Sequence, residues 1–193
     1  MVQRPGGADF APGAFVFPGG TVHADDRSFP DELRAAAVRE VFEETGILLA
    51  RGASAADADR VRSQVEGGVT FADALRAAGV TPDFDGLVLF ERWITPSLLR
   101  RRFDARFYLA VMPDGQRVRP QEGEVVDWRW VSPRLALETP ELNLVYATRA
   151  VLESVADAAD VEELIVRARA GGEITAVEPR IVKTERGWEV VRD

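Results

Sequence analysis

Read for its apolar and polar positions, the chain breaks into short strands and amphipathic helices. Ala14-Phe15-Val16-Phe17 is an aromatic and β-branched run stopped by Pro18-Gly19-Gly20, which predicts a strand entering a tight turn. Thr21 to Phe29 is polar and loop-like. A helix is expected from Phe29 to Thr45, with Ser28 as N-cap, Asp31 completing a capping box and Gly46 ending it in a left-handed cap. Ile47 to Ala50 reads as the start of a strand or a buried turn, and the alanine-rich residues 51–83 as a helical insertion with segments around Ala55 to Glu66 and Phe71 to Ala78. Leu87 to Ile94, Arg106 to Val111 and Val125 to Val131 predict three strands, and Ser132-Pro133 opens a short helix. Residues 143–170 form one or two amphipathic helices whose apolar face covers either the core or a second subunit. Ile181-Val182-Lys183 and Trp188 to Val191 flank a turn as hairpin arms do. Strands interspersed with helices predict an α/β fold, taken as one domain over residues 1–193.

Composition narrows the function more than the fold. The net charge of -8 makes the chain a poor candidate for gripping DNA or an anionic membrane through bulk charge. An anionic substrate therefore needs a local reversal of field, from an arginine cluster or a bound metal. There is no cysteine and a single histidine, His23, so disulfides and Cys nucleophiles are excluded and a multi-His metal site is disfavoured. No apolar run reaches the ~18 residues of a membrane span, and Met1 to Phe10 lacks the apolar core of a signal peptide. A cytoplasmic location is the expectation.

The chemistry concentrates in the helix ending at Thr45. At about 100° per residue, with Val38 at zero, Ala35, Val41 and Phe42 fall within roughly 60° of it and face the core. Glu40, Glu43 and Glu44 share the opposite side. Like charges at i,i+3 and i,i+4 each cost about 0.2–0.5 kcal/mol, and these three also crowd the negative end of the helix dipole. Arg39 can pair with Glu43 but cannot neutralise three acids. Two readings stay open: a solvated acidic face, or a hard-cation site for Mg²⁺ or Mn²⁺. Gly19-Gly20 ahead of the helix favours the second, because a backbone carbonyl there can approach a metal unobstructed.

Gly20 followed by Arg39-Glu40-Val41-Phe42-Glu43-Glu44-Thr45-Gly46-Ile47 resembles the Nudix box: Gly, five residues, Glu, seven residues, Arg-Glu-apolar-x-Glu-Glu-x-Gly-apolar. The second half matches every specified position. The first half carries about five extra residues and is expected to place Asp31 where the pattern has Glu. Pro12 to Gly20, Arg92-Trp93-Ile94-Thr95-Pro96, Arg102 to Phe107 and Glu124 … Trp130-Val131-Ser132-Pro133 are similar to the branch containing the peroxisomal coenzyme A diphosphatases and their bacterial relatives. The first strand of that fold is expected to be absent or cut short, with Arg4 in the turn after it.

The resemblance implies an α/β/α sandwich around a mixed sheet and a metal-dependent diphosphatase. It makes Glu40, Glu43 and Glu44 the metal ligands, with the Gly19 carbonyl completing the shell, Gly20 beside the substrate and Arg39 orienting Glu43. Glu124 is a further ligand or the general base, with Glu40 the competing base and Glu122 a neighbour easily confused with it. Arg100, Arg101, Arg102 and Arg106 are the candidate phosphate contacts, since the planar guanidinium fork binds two oxygens. His23 is expected to be a solvated loop residue, and Trp93, Trp128 and Trp130 to pack in the core or on a sheet face. Coenzyme A or an acyl-CoA leads the substrates, ahead of ADP-ribose, NADH and nucleotide sugars, then nucleoside triphosphates and capped RNA. A catalytically silent nucleotide-binding or scaffold module is the rival from another class. A homodimer is plausible by analogy.

Overall fold

The computed structural model describes residues 1–185 and 187–192. Two small sheets form its centre. In one, β1 (Val2–Gln3) lies between β2 (Phe15–Val16) and β5 (Asp127–Trp128), antiparallel to both. The other is mixed: β3 (Val88–Ile94) pairs antiparallel with β4 (Asp104–Leu109) and parallel with β6 (Ala176–Val177). The first strand is thus present but only two residues long. The third predicted strand, Val125 to Val131, shrinks to β5, which lies at a sheet edge with Trp128 and Trp130 exposed. Of Trp93, Trp128 and Trp130, only Trp93 is a core residue.

Helix α1 (Glu32–Thr45) starts three residues later than the expected Phe29. The cause is local. Residues Asp25–Ser28 wind into a 3₁₀ turn, and the Ser28 hydroxyl donates to the Asp25 carbonyl at 2.7 Å instead of capping a helix. Pro30 then favours extended backbone at Phe29, which has φ -96 and ψ 156. Asp31 takes over the cap, its Oδ1 accepting from Leu33 N at 3.1 Å and Arg34 N at 3.0 Å. Gly46 ends the helix as expected, in the left-handed region at φ 75, with its N–H on the Phe42 carbonyl at 2.8 Å.

The helices α2 (Ala55–Glu66) and α3 (Phe71–Ala78) cover the apolar side of α1. Val38, Phe42, Val61, Phe71 and Leu75 share one cluster, and the Phe42 and Phe71 rings lie 5.3 Å apart. Val41 is only half-buried. On the other side of the strands, α4 (Pro133–Glu138) and α5 (Tyr146–Val155) pack on Phe15 and Trp93. That arrangement is the helix–sheet–helix layering the sequence led one to expect. Ile47 to Ala50 is a buried turn: Gln116 satisfies the Leu48 backbone, accepting from its N–H at 2.8 Å and donating to its carbonyl at 3.1 Å. α6 (Val161–Ala170) buries no residue, and a hairpin of β7 (Arg180–Thr184) and β8 (Gly187–Val191) follows it. Among the described residues, no helix is long and apolar enough to cross a membrane.

Candidate functional site

The strand-to-turn geometry of β2 brings Pro18-Gly19-Gly20 against the outer face of α1. Gly19 donates its N–H to Glu44 Oε2 at 3.0 Å. Gly20 lies so close to Glu40 that a Cβ there would run into the carboxylate. A side chain at this position would displace the Glu40 carboxylate, whereas the backbone conformation places no demand for glycine.

Arg39 organises the remaining acids. Its guanidinium has five N–H donors, and all five are used. Nε donates to Asp26 Oδ1 and Nη2 to Asp26 Oδ2, each at 3.0 Å. Nη1 donates to Glu40 Oε1 at 2.8 Å and Glu43 Oε2 at 2.9 Å, and Nη2 also reaches the Thr21 carbonyl at 2.8 Å. Arg39 and Asp26 are 3% and 1% exposed, so this fork is out of water. Burial alone would lower the Arg39 pKa, but the Asp26 hydrogen bonds and the Glu40 and Glu43 charges outweigh it and hold the group above its ordinary value. Saturated in this way, Arg39 has no donor left for a substrate. It positions Glu40 and Glu43 and offsets their repulsion.

Asp26 is the residue that the sequence reading passed over. It lies five intervening residues after Gly20, the spacing of the pattern's first acid, whereas Asp31 is committed to the helix cap and to Arg34 Nη1 at 2.5 Å. The extra residues therefore lie between Asp26 and Arg39, not between Gly20 and the acid. Counting forward from Gly20 instead of back from Arg39 would have found it. Asp26 Oδ2 also accepts from His23 N at 2.7 Å, closing the loop over the turn.

Three carboxylates remain half-satisfied. Glu40 and Glu43 each have one oxygen on Arg39 and Glu44 has one on Gly19, while the second oxygen of each has no hydrogen bond among the described residues. Glu44 is the most perturbed. Burial pushes its carboxyl up to about 7, with the Gly19 N–H pulling down and the Glu40 and Glu124 charges adding to the rise. Burial also raises Glu43, against the opposing pull of Arg39. Among the described residues, no group of three Asp, Glu or His side chains is closed around a common point, since Arg39 and Gly19 hold the carboxylates by their inner oxygens. The donor set nonetheless suits a hard divalent cation: only oxygens, an excess of negative charge, a buried Glu44 that feels the Arg4 charge but forms no ion pair among the described residues, and a Gly20 gap into which the Glu40 carboxylate fits. The Gly19 carbonyl also has no hydrogen bond among the described residues.

The other candidates divide. The loop of Arg119 to Val125 crosses the end of α1, with Arg119 N on the Thr45 carbonyl at 2.7 Å and Gln121 N on the Glu44 carbonyl at 3.3 Å. Of Glu122 and Glu124 on that loop, Glu124 is the one whose charge bears on Glu44. The arginine run is largely spent elsewhere. Arg102 pairs with Glu178 at 2.5 Å and donates to the Thr95 carbonyl at 2.9 Å. Arg101 stands over the Phe103 ring 3.9 Å from Asp9, and Arg106 is held by Asp104 at 3.5 Å. Arg100 is exposed, without a hydrogen bond or ion pair among the described residues. His23 is exposed and lines a cavity of about 150 Å³ with Phe29, Arg39, Glu43, Val69 and Phe71.

A family model described as the NUDT19 Nudix domain matches residues 28–146, more than half of the chain. The chain belongs to the Nudix family. The box is thus more than a local likeness, and the match runs well past α1 on its C-terminal side. Nudix hydrolase 7 of Caenorhabditis elegans is 32% identical over 139 residues, covering 69% of this chain and 46% of that protein. The human acyl-coenzyme A diphosphatase NUDT19 is 28% identical over 206 aligned positions, covering 72% of this chain and 54% of that protein. The chain spans about half the length of these curated Nudix relatives. Among solved structures, a Nudix hydrolase from Alicyclobacillus acidocaldarius superposes with a TM-score of 0.68 at 26% identity, covering 87% of this chain and 86% of that one. The mixed α/β architecture is therefore a Nudix fold. Members of the family generally use divalent metal ions.

Proposed function

We propose that this chain is a Mg²⁺- or Mn²⁺-dependent diphosphatase that cleaves the diphosphate linkage of a nucleoside diphosphate derivative, with coenzyme A or an acyl-CoA as the leading substrate. The observation that carries it is the outer face of α1: three carboxylates, each with one oxygen tied and one open, organised by a saturated buried arginine. A solvated acidic face needs neither a buried Glu44 nor an Arg39 with all five donors engaged. The acyl-CoA preference is supported by the human relative's name and by the flanking motifs around Trp93 and Trp130. The site works with the whole described chain as one unit, in the cytoplasm.

In this reading Glu40, Glu43 and Glu44 hold the metal, and Glu124 approaches from its loop as a further ligand. A bound divalent cation supplies charge neutralisation at the diphosphate and lowers the pKa of an attacking water. Arg39 keeps Glu40 and Glu43 at fixed separation, so their open oxygens need little reorganisation. Glu44 contributes a carboxylate whose ionisation is costly until a cation is near. Glu40 or Glu124 accepts the proton of the attacking water. Phosphoryl-type transfer asks for positioning and electrostatics and not for a covalent nucleophile, so a chain without cysteine suits it. Arg100 is the member of the basic run free to meet a phosphate.

The test is chromatographic product analysis with Mn²⁺ or Mg²⁺ over coenzyme A, acetyl-CoA, ADP-ribose, NADH, a nucleotide sugar and dGTP. Coenzyme A is expected to give 3′,5′-ADP and 4′-phosphopantetheine at the highest kcat/KM. Glu43→Gln is expected to stay folded and lose most turnover. A different best substrate refutes the coenzyme A assignment, and full activity in Glu43→Gln refutes the metal site.

A further inference from the structure

An acidic chain that acts on anions needs a cationic patch, and one lies outside the run at Arg100–Arg102. It is a cavity of about 280 Å³ at the far end of α1, where Arg62, Arg117 and Arg119 converge beside Gly46 and Gln116, with Asp59 the single acid lining it. We propose that this cavity binds a phosphate monoester group other than the diphosphate being cleaved.

Two of the arginines are held in place by contacts that leave donors over. Arg62 stands over the Phe42 ring at 5.6 Å and donates through Nη2 to the Arg119 carbonyl at 3.2 Å. The left-handed glycine Gly46 makes room for it, because a Cβ there would strike the same Nη2. Arg119 reaches Asp59 through Nη1 at 2.5 Å, which anchors one edge of its fork. Arg117 is exposed and makes no hydrogen bond or ion pair among the described residues. Three guanidinium groups against Asp59 and the rim acid Glu66, 3.9 Å from Arg62 Nη1, leave the cavity with one positive charge in excess, in a chain of net charge -8. Forked donors of this kind match phosphate oxygens in pairs.

The negative end of a helix is ordinarily a poor place for an anion. Here that objection is blunted, because Arg119 N and Gln121 N cap the Thr45 and Glu44 carbonyls at 2.7 Å and 3.3 Å. The volume is just under the ~300 Å³ at which drug-sized pockets begin, so it suits a phosphate and its immediate ester arm and not a whole nucleotide. Gly46 follows Glu43 by three residues, a rise of about 4.5 Å along the helix axis. Arg62 lies over Phe42, on the side of α1 away from the three carboxylates, so a ligand with its diphosphate at those carboxylates and a separate phosphate here has to pass round the C-terminal end of the helix at Gly46. That last step rests on the proposed function; binding of the monoester does not.

The phosphate has two sources, the substrate's own second phosphate or a free phosphate ion. Calorimetric titration of the whole chain in EDTA at low salt, with adenosine 3′-phosphate and with inorganic phosphate, separates them. Both are expected to bind, and Arg117→Glu is expected to weaken both at least tenfold without moving the melting temperature. Arg149→Glu makes the same charge change on α5, away from the cavity, and is expected to leave binding unchanged. Tighter binding of the nucleotide assigns the site to the substrate's phosphate; equal binding assigns it to the free ion. Absence of binding to the unaltered chain overturns the proposal, as does an equal loss in Arg149→Glu, which means bulk charge alone. No turnover or metal enters the measurement, so a failure to cleave coenzyme A leaves the result standing.

Discussion

Asp26→Ala removes the acceptor of two of the five hydrogen bonds of Arg39 and the acceptor of the His23 N–H. Both members of the pair are buried, at 1% and 3% exposure. Breaking a buried ion pair from one side costs about 3–5 kcal/mol, because the other charge stays inside without its partner. Glu40 and Glu43 still neutralise Arg39, so the cost belongs at the low end, about 3 kcal/mol. At roughly 2–4 °C per kcal/mol for a chain of this size, the melting temperature should fall by about 6–12 °C. The informative comparison is Asp31→Ala. That change loses a helix cap worth ~1 kcal/mol and a half-exposed pair with Arg34 worth little, so it should cost about 2–4 °C. Urea unfolding and thermal melting of both variants in EDTA decide the matter. If Asp31→Ala costs as much as Asp26→Ala, the buried pairing of Asp26 with Arg39 is not the stabilising contact and Asp26 does not fill the first acidic position of the box.

Two further predictions concern the carboxylate face. Glu44 is raised from 4.5 to about 7 in the folded state, so the fold binds an extra proton between those values and its stability should fall as pH rises through that window. In EDTA the loss between pH 4.5 and 7.5 should approach 3 kcal/mol, on the order of 1.36 kcal/mol per unit; Glu44→Gln should flatten the curve, and an unchanged slope in that variant assigns it to another group. Gly20→Ala places a methyl group against the Glu40 carboxylate and should displace it, weakening Mn²⁺ binding by calorimetry at least tenfold while the melting temperature in EDTA moves little; unaltered Mn²⁺ affinity removes Glu40 from the site.

Much of this protein was legible along the chain because its signals are short-range. The amphipathic stripe of α1, the Gly46 cap, the segments of α2 and α3, the Ser132-Pro133 helix start and the C-terminal hairpin each depend on residues a few positions apart. The crowding of Glu40, Glu43 and Glu44 is legible for the same reason, since a helix of fixed pitch sets their directions. What misled was competition between local signals. Ser28 and Asp31 both satisfy a cap pattern, and only the 3₁₀ turn of Asp25–Ser28 with the extended Phe29 before Pro30 decides between them. Trp128 and Trp130 look like core residues until β5 proves to be an edge.

The sequence by itself determined the family, the helix that carries the carboxylates and the glycine turn before it, because each is written in contiguous residues. Tertiary structure alone decided which aspartate holds Arg39, that this arginine has no donor to spare, that Glu44 is buried beside the charge of Glu124, and that Arg62, Arg117 and Arg119 share a cavity. Those facts join residues up to 80 positions apart in the chain. Burial and pairing are properties of what packs against a side chain, and no periodicity in the chain records them.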